Sequence, residues 1–369
     1  LSFPQLLICI SLLCALTGAL TLVASHTSPD RRFEQFTSQL FQEEMTGSTL
    51  NMHYTIADPK TFGISEYEPV LPIYHSGQPE DSKEHCSDLL HRLDRIDPDR
   101  LSPENAYTYR LLHRSLENDL ALADFPYYNE PLSPSSGMQS QLPVLLAEYT
   151  FRTKRDVTDY LALLDQIDDY FASLLLYEQE KAAAGFFMPA CSSEKVRKQC
   201  DNIVTTEELA QGTHFLQTTF EDRLSELQKQ GLFTPEETAS LIETNDRLLA
   251  TVVQPAYAAL SEGLHSLETS TNADSTASET TANAASGKNN SVHNGLPKGL
   301  ALLPDGKTYY LHLLFSETGS SRSEKELVQM LLVQFQKEQS AIRNLASQSP
   351  SLITLLSEEN TAVFPLAEP

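Results

Sequence analysis

The chain has 369 residues with 40% hydrophobic content, enough for one large domain or two ordinary ones with a real core. Lys and Arg number 26 against 50 Asp and Glu, a formal charge of −24 that repels phosphate backbones and anionic lipid surfaces, so no nucleic-acid partner is expected. Five Cys form too odd and sparse a set for a disulfide framework, although Cys191 and Cys200 are close enough in sequence to pair.

The run from Leu6 to Val23 carries no charge and is about as long as a helix needs to cross a bilayer. Small residues follow it at Ala24 and Ser25. Residues 1–25 therefore read either as a cleaved signal peptide or as an uncleaved anchor, and both readings send the protein out of the cytoplasm. The expected location is extracellular, or anchored to the cell membrane through the leader. Cys9 and Cys14 follow Ile8 and Leu13, which are larger than a lipoprotein box wants.

The body, 28–369, reads as helix after helix, an all-α multi-helix array with long Pro- and Gly-rich loops. Phe33, Phe36, Leu40 and Phe41 recur at helical spacing, and Gly47 ends that segment. Pro59, Pro69, Pro72 and Pro79 then punctuate a loop containing Tyr54, Tyr67 and Tyr74. Leu89, Leu90, Leu93 and Ile96 predict a helix that stops before Pro98. Ser102-Pro103-Glu104 starts another, reaching about Asp124. From Pro126 to Pro143 the chain loosens, and Ser135 to Pro143 reads as flexible. Thr153 to Asp156 is a capping box opening one long helix, with a stripe from Val157 to Leu175 and a stop at Gly185.

A short helix is expected to begin near Ser193, and another to run from Phe215 to Leu227 before Gly231. Thr234-Pro235-Glu236-Glu237 is a second capping box. Its helix should reach Pro255 and kink or restart there. Residues 266–295 are rich in Ser, Thr, Asn and Ala, with almost no large apolar side chain to offset ordering entropy, and read as a disordered insertion. Pro304-Asp305-Gly306 is a turn. Tyr309, Tyr310, Leu313 and Leu314 follow as a short helix. Ser323 to Glu326 caps a helix through Leu327, Met330, Leu331 and Phe335, and a further element is expected from Ser349.

Chemistry is harder to find. Ten His are present, none in a His-Glu-x-x-His arrangement. His85, Cys86 and His91 cluster in sequence but fall on different faces of a helix. His113 and Glu117, four apart, read as a helix-surface pair rather than metal ligands. Asp168-Asp169 and Glu358-Glu359 read as surface charge. The loop tyrosines, Tyr127-Tyr128 among them, are of the kind that can line a ligand cleft. No nucleophile elbow, phosphate loop or Cys-x-x-Cys occurs, so no catalytic, cofactor-binding or metal residue is assigned.

Several segments carry a resemblance. They are Gly137 to Phe151; Asp156-Val157 with Tyr160-Leu161 and Leu163-Leu164; Gly185-Phe186-Phe187-Met188; Pro255-Ala256-Tyr257; and Pro304-Asp305-Gly306-Lys307 with Tyr309-Tyr310. Asp30 to Phe33 and Asn51 to Tyr54 fit as well. Together they resemble the bacterial domain-of-unknown-function 885 family, over about Asp30 to Leu345.

The resemblance implies a helical zinc-metallopeptidase-like protein. Two His and a carboxylate would hold zinc, and the motif Glu would accept a proton from its water. None of those residues is in this sequence, so zinc is expected only in a C-terminal part beyond it, and none in this chain. The expectation is the N-terminal helical part of an exported protein, inactive alone, with a peptide as substrate of the whole. Gly137 to Phe151 and Tyr309-Tyr310 would be scaffold or cleft wall. The alternative is a non-catalytic, membrane-tethered helical binding module.

Overall fold

A computed structural model describes residues 28–282, 300 and 303–348. The leader (1–25), most of the second half of the low-complexity stretch, Glu358-Glu359 and the element expected from Ser349 lie outside the described residues. Among the described residues every regular element is helical and there is no strand, as the all-α reading expects. None of these helices is long and apolar enough to cross a membrane. The chain divides into two compact units after Tyr309.

In the first unit α1 (Pro29–Thr46) is capped by Ser28 and α2 (Thr49–Thr55) by Ser48, whose hydroxyl accepts from the Asn51 amide. This short second helix lies where sequence punctuation suggested only loop. It is held by tertiary bonds: the Thr49 amide donates to the Val70 carbonyl at 3.0 Å, and the Val70 amide to Thr49 Oγ1 at 2.8 Å. A 3-10 turn (Pro59–Phe62) follows. α3 (Gln78–Leu93) and α4 (Pro103–Leu122, capped by Ser102) pack together, and α4 also meets α1. Phe33, Phe36, Leu89, Leu93, Tyr109 and Leu116 form the core between these three.

α5 (Met138–Ala147) overturns the expectation of a flexible loop from Ser135 to Pro143. Pro143 sits inside this helix and has no N–H to give the Gln139 carbonyl, the usual reason a helix fails. That carbonyl instead accepts the buried Tyr257 hydroxyl at 2.8 Å. A partner far away in sequence thus satisfies the group that proline orphans.

α6 (Lys154–Leu164) and α7 (Ile167–Ala183) correct the single long helix expected there. Thr153 and Asp156 do form the capping box. The break falls at Asp165-Gln166, where the Gln166 side chain donates to Pro69 O at 2.9 Å and accepts from the Leu71 amide at 3.0 Å. Gly185, at φ 84°, closes the pair in the left-handed region that glycine tolerates.

α8 (Ala190–Ile203), α9 (Thr206–Gln211), α10 (Phe215–Lys229) and α11 (Pro235–Leu248) follow, the last opened by the Thr234–Glu237 capping box. A π-helical turn (Leu249–Val253) joins α11 to α12 (Gln254–Ala282). The expected break at Pro255 is therefore a widened turn: the Gln254 amide reaches back five residues to Leu249 O. α12 packs on α7 and α8, and its helical backbone continues through Ser266 to Ala282. The main core lies around α5–α8 and α10–α12, with Tyr160, Phe220, Leu224, Leu249 and Leu260 nearly inaccessible. Cys191 and Cys200 are both free. They sit on one helix nine residues apart, about 13 Å along its axis, which rules out the bridge considered from sequence.

The turn at Pro304-Asp305-Gly306 forms, with Asp305 at φ 52°, and α13 (Gly306–Thr318) begins there. The second unit takes in α14 (Glu324–Gln348), capped by Ser323 and Glu326. Its apolar side chains stand in solvent: Leu331 is 69% exposed, Phe335 64% and Ile342 66%.

Candidate functional site

A cavity of about 830 Å³ opens between α2, the loop after it and the start of α6. Its floor is a ring stack. His53 on α2 lies against Tyr149, with centroids 3.5 Å apart and planes 13° from parallel. His53 Nε2 accepts the Thr150 amide at 3.0 Å. The neutral ring therefore carries its proton on Nδ1, 4.0 Å from Asp156 Oδ1 and beyond hydrogen-bond range. Burial pushes the imidazole down to about 4, against the opposing pull of Asp156, so the ring is neutral at pH 7. Its acceptor nitrogen is committed to backbone, which denies it the role of general base.

Asp156 does local work. Its Oδ2 accepts the Arg152 amide at 2.9 Å, the Thr153 amide at 2.7 Å and the Thr153 hydroxyl at 3.0 Å. On the adjoining wall Tyr67 donates to Asp159 Oδ2 at 2.6 Å. The Arg155 guanidinium lies over the Tyr67 ring, 3.9 Å from its centroid, and donates to the Tyr67 carbonyl. Burial and the Asp159 contact push the Tyr67 phenol up to about 12. Behind Tyr149, Arg223 donates to the carbonyls of Leu146 and Tyr149, pinning the end of α5.

A second, smaller cavity of about 390 Å³ is lined by prolines and aromatics, Pro72, Pro126, Tyr74 and Tyr177 among them. Tyr74 and Tyr177 meet edge to face at 5.0 Å. Nearby, Glu180 accepts the hydroxyls of Tyr74, Ser76 and Tyr127, and the Ser76 and Tyr74 bonds hold its carboxyl below the ordinary range. Two residues away on α7, Glu178 is fully buried and neither oxygen has a hydrogen-bond partner among the described residues. Burial raises it to about 7. Lys181, also buried, pairs with Glu130 at 2.8 Å and donates to Asn129 O at 3.0 Å. The Tyr128 and Tyr309 rings, both in segments that the sequence singled out, meet at a tilt, with centroids 4.8 Å apart and planes 50° from parallel.

The other sequence candidates fall elsewhere. His85 and His91 are exposed on α3. His113 does pair with Glu117, at 3.4 Å, and also reaches Asp94 at 3.1 Å, joining α4 to the end of α3. Asp168 and Asp169 are exposed. Among the described residues no three His, Cys, Asp or Glu side chains converge to hold a metal, so these residues do not fit the zinc that the resemblance implies. Sequence reasoning missed His53, Arg152, Asp159 and Glu178, whereas Tyr67, one of the loop tyrosines it gave to a ligand cleft, does line the cavity. Glu178 lies four and three residues beyond Leu174 and Leu175, where the apolar stripe would have continued.

The fold has a solved counterpart. A crystal structure of a "putative lipoprotein" from Colwellia psychrerythraea superposes with a TM-score of 0.60 at 15% identity, over 88% of this chain and 52% of that one. This chain thus spans about half the length of its counterpart, and at that identity the likeness shows the fold alone. No curated protein matches. Residues 60–362 match the family profile described as bacterial protein of unknown function (DUF885). On that match, which takes in α3 to α14, the chain belongs to the DUF885 family.

Proposed function

We propose that this chain is the helical, non-catalytic portion of an exported, metallopeptidase-like DUF885 protein, with zinc and water-activating groups supplied by residues outside it. The observation that carries this reading is α14. Val328, Leu331, Leu332, Phe335, Ile342 and Leu345 recur at helical spacing and are all at least half exposed. A soluble helix rarely leaves such a stripe uncovered unless another element packs on it. That this chain matches only about half of its structural counterpart supports the same reading.

In the whole protein the aromatic segments Gly137–Phe151 and Tyr309-Tyr310 would serve as scaffold or cleft wall for a peptide. Export is supported by the uncharged leader and by the description of the Colwellia counterpart as a lipoprotein. The leader would act as signal peptide or as anchor.

The test uses the full purified chain. It should bind no stoichiometric zinc by metal analysis after dialysis and release no product from a mixed peptide library. Stoichiometric zinc together with peptide cleavage would overturn the proposal.

A further inference from the structure

The smaller cavity, at the start of α3, combines an accessible apolar wall with carboxylates that no cation offsets. Of its lining, Pro72, Ile73 and Pro126 are exposed, Ile73 by 53%, and Pro79, Phe125 and Pro131 are half-buried. This wall offers few backbone groups for pairing. Its prolines have no N–H, and the Pro126 and Asn129 carbonyls already accept the Tyr177 hydroxyl at 3.1 Å and 3.2 Å. The charged side chains next to the lining in sequence or by hydrogen bond include Glu80, Asp81, Asp124, Glu130 and Glu180, against Lys83 and Lys181. Lys83 is tied to Asp124 and Lys181 to Glu130. Asp81 meets the exposed His75 at 3.8 Å. Glu80 and Glu180 have no cation within ion-pair range among the described residues. The hydroxyls of Tyr74, Ser76 and Tyr127 stabilise the Glu180 carboxylate but are neutral, so its charge remains. Burial, then Glu180 and Glu80, push the Tyr74 and Tyr127 phenols up, which puts both carboxylates in one electrostatic neighbourhood.

We propose that this groove docks an extended, proline-rich peptide segment that carries an Arg or Lys. The proline rings rest on Ile73, Phe125 and the exposed prolines, and the basic side chain reaches Glu180, with Glu80 adding a longer-range attraction. A polyproline II segment suits a wall with few free backbone partners, because it needs no ladder of hydrogen bonds and its prolines bring no N–H that must be matched. An ionised carboxylate has about four acceptor sites. Three hydroxyls therefore leave Glu180 able to take one charge-assisted bond from the incoming cation. The same carboxylates repel an anionic ligand. At about 390 Å³ the cavity lies within the size range of binding sites. Docking of this kind does not depend on the peptidase-like reading.

The test is calorimetry with ligand-detected NMR on the full chain, using three peptides that are N-acetylated and C-terminally amidated: Pro-Pro-Arg-Pro-Pro, its analogue Pro-Pro-Gln-Pro-Pro, and Gly-Gly-Arg-Gly-Gly. The first should bind saturably, and each of the others about tenfold more weakly, the scale of one charge-assisted contact or of the lost apolar packing. Raising the salt to about 0.5 M should weaken the first peptide, because its ion pair is partly exposed. Glu180→Gln should weaken it by about tenfold. Glu80→Gln and Ile73→Ser should each weaken it by about threefold, since one acts through solvent and the other trims part of the wall. Glu80 and Ile73 are exposed, so those two substitutions should leave the melting temperature in place, which is measured in parallel. Absence of saturable binding by the proline-flanked Arg peptide overturns the proposal. So does equal binding of the Gln analogue or of the glycine-flanked peptide. Indifference of the bound peptide to both Glu80→Gln and Ile73→Ser, in chains that melt as the wild type does, overturns it as well.

Discussion

The His53 ring lies flat on Tyr149 while its Nε2 takes the amide of the very next residue, Thr150. One side chain thus closes the turn between α5 and α6 by stacking and by a hydrogen bond. His53→Phe keeps a ring for the stack and removes the acceptor. It should cost about 1–3 kcal/mol, the range for orphaning a buried amide, read as a lower melting temperature at pH 7. The wild type should also lose stability as pH falls from 6.5 toward 4, because the unfolded chain binds a proton that the folded ring refuses. The variant should lack that component. Identical pH profiles for the two proteins would refute the assignment.

Glu178 titrates in the opposite sense. Its folded value, about 7, lies above the ordinary 4.5, so the carboxyl costs nothing while both states are protonated. The cost grows as pH rises through that window and reaches roughly 3 kcal/mol above it. Lys181 eases that cost and Glu130 adds to it. Glu178→Gln should therefore be only slightly more stable than the wild type at pH 5 and markedly more stable at pH 8. Denaturant melts at the two pH values decide this, and a variant less stable at pH 8 would show that the charge has a partner.

Gly137, the N-cap of α5, has no room for a side chain. A Cβ there would lie 2.2 Å from Ser133 N and 2.6 Å from Ser133 O, both backbone atoms. Gly137→Ala must move the 133–137 turn. It should destabilise by about 1–3 kcal/mol, the usual scale of overpacking. An unchanged denaturation midpoint would contradict this close approach.

The exposed face of α14 should bind an apolar dye such as anilinonaphthalene sulfonate, and the chain should tend to aggregate. Leu331→Glu with Phe335→Glu should cut dye fluorescence substantially while leaving stability within about 0.5 kcal/mol, since neither side chain is buried. A monodisperse, dye-silent wild-type chain would mean that this stripe is covered.

Local chemistry made much of this protein legible from its sequence. The boxes at Thr153, Thr234 and Ser323 open helices because cap and partner lie three residues apart, so no distant group is needed. Apolar spacing from Phe33 to Phe41 and from Leu216 to Leu227 marks inward faces for the same reason, although Phe215 itself is exposed. The family, too, was legible, carried by segments that run the length of the body.

The tertiary structure decided what depends on partners far along the chain. Pro143 is tolerated within a helix because Tyr257, 114 positions later, supplies the missing donor to Gln139. The stripe from Val157 to Leu175 breaks because Gln166 is tied to Pro69 and Leu71. The cavity at His53 exists only where α2 meets the turn before α6, with some hundred residues of chain between them. A short-range pattern cannot encode such meetings, because the bonds that make them form only after the helices have packed.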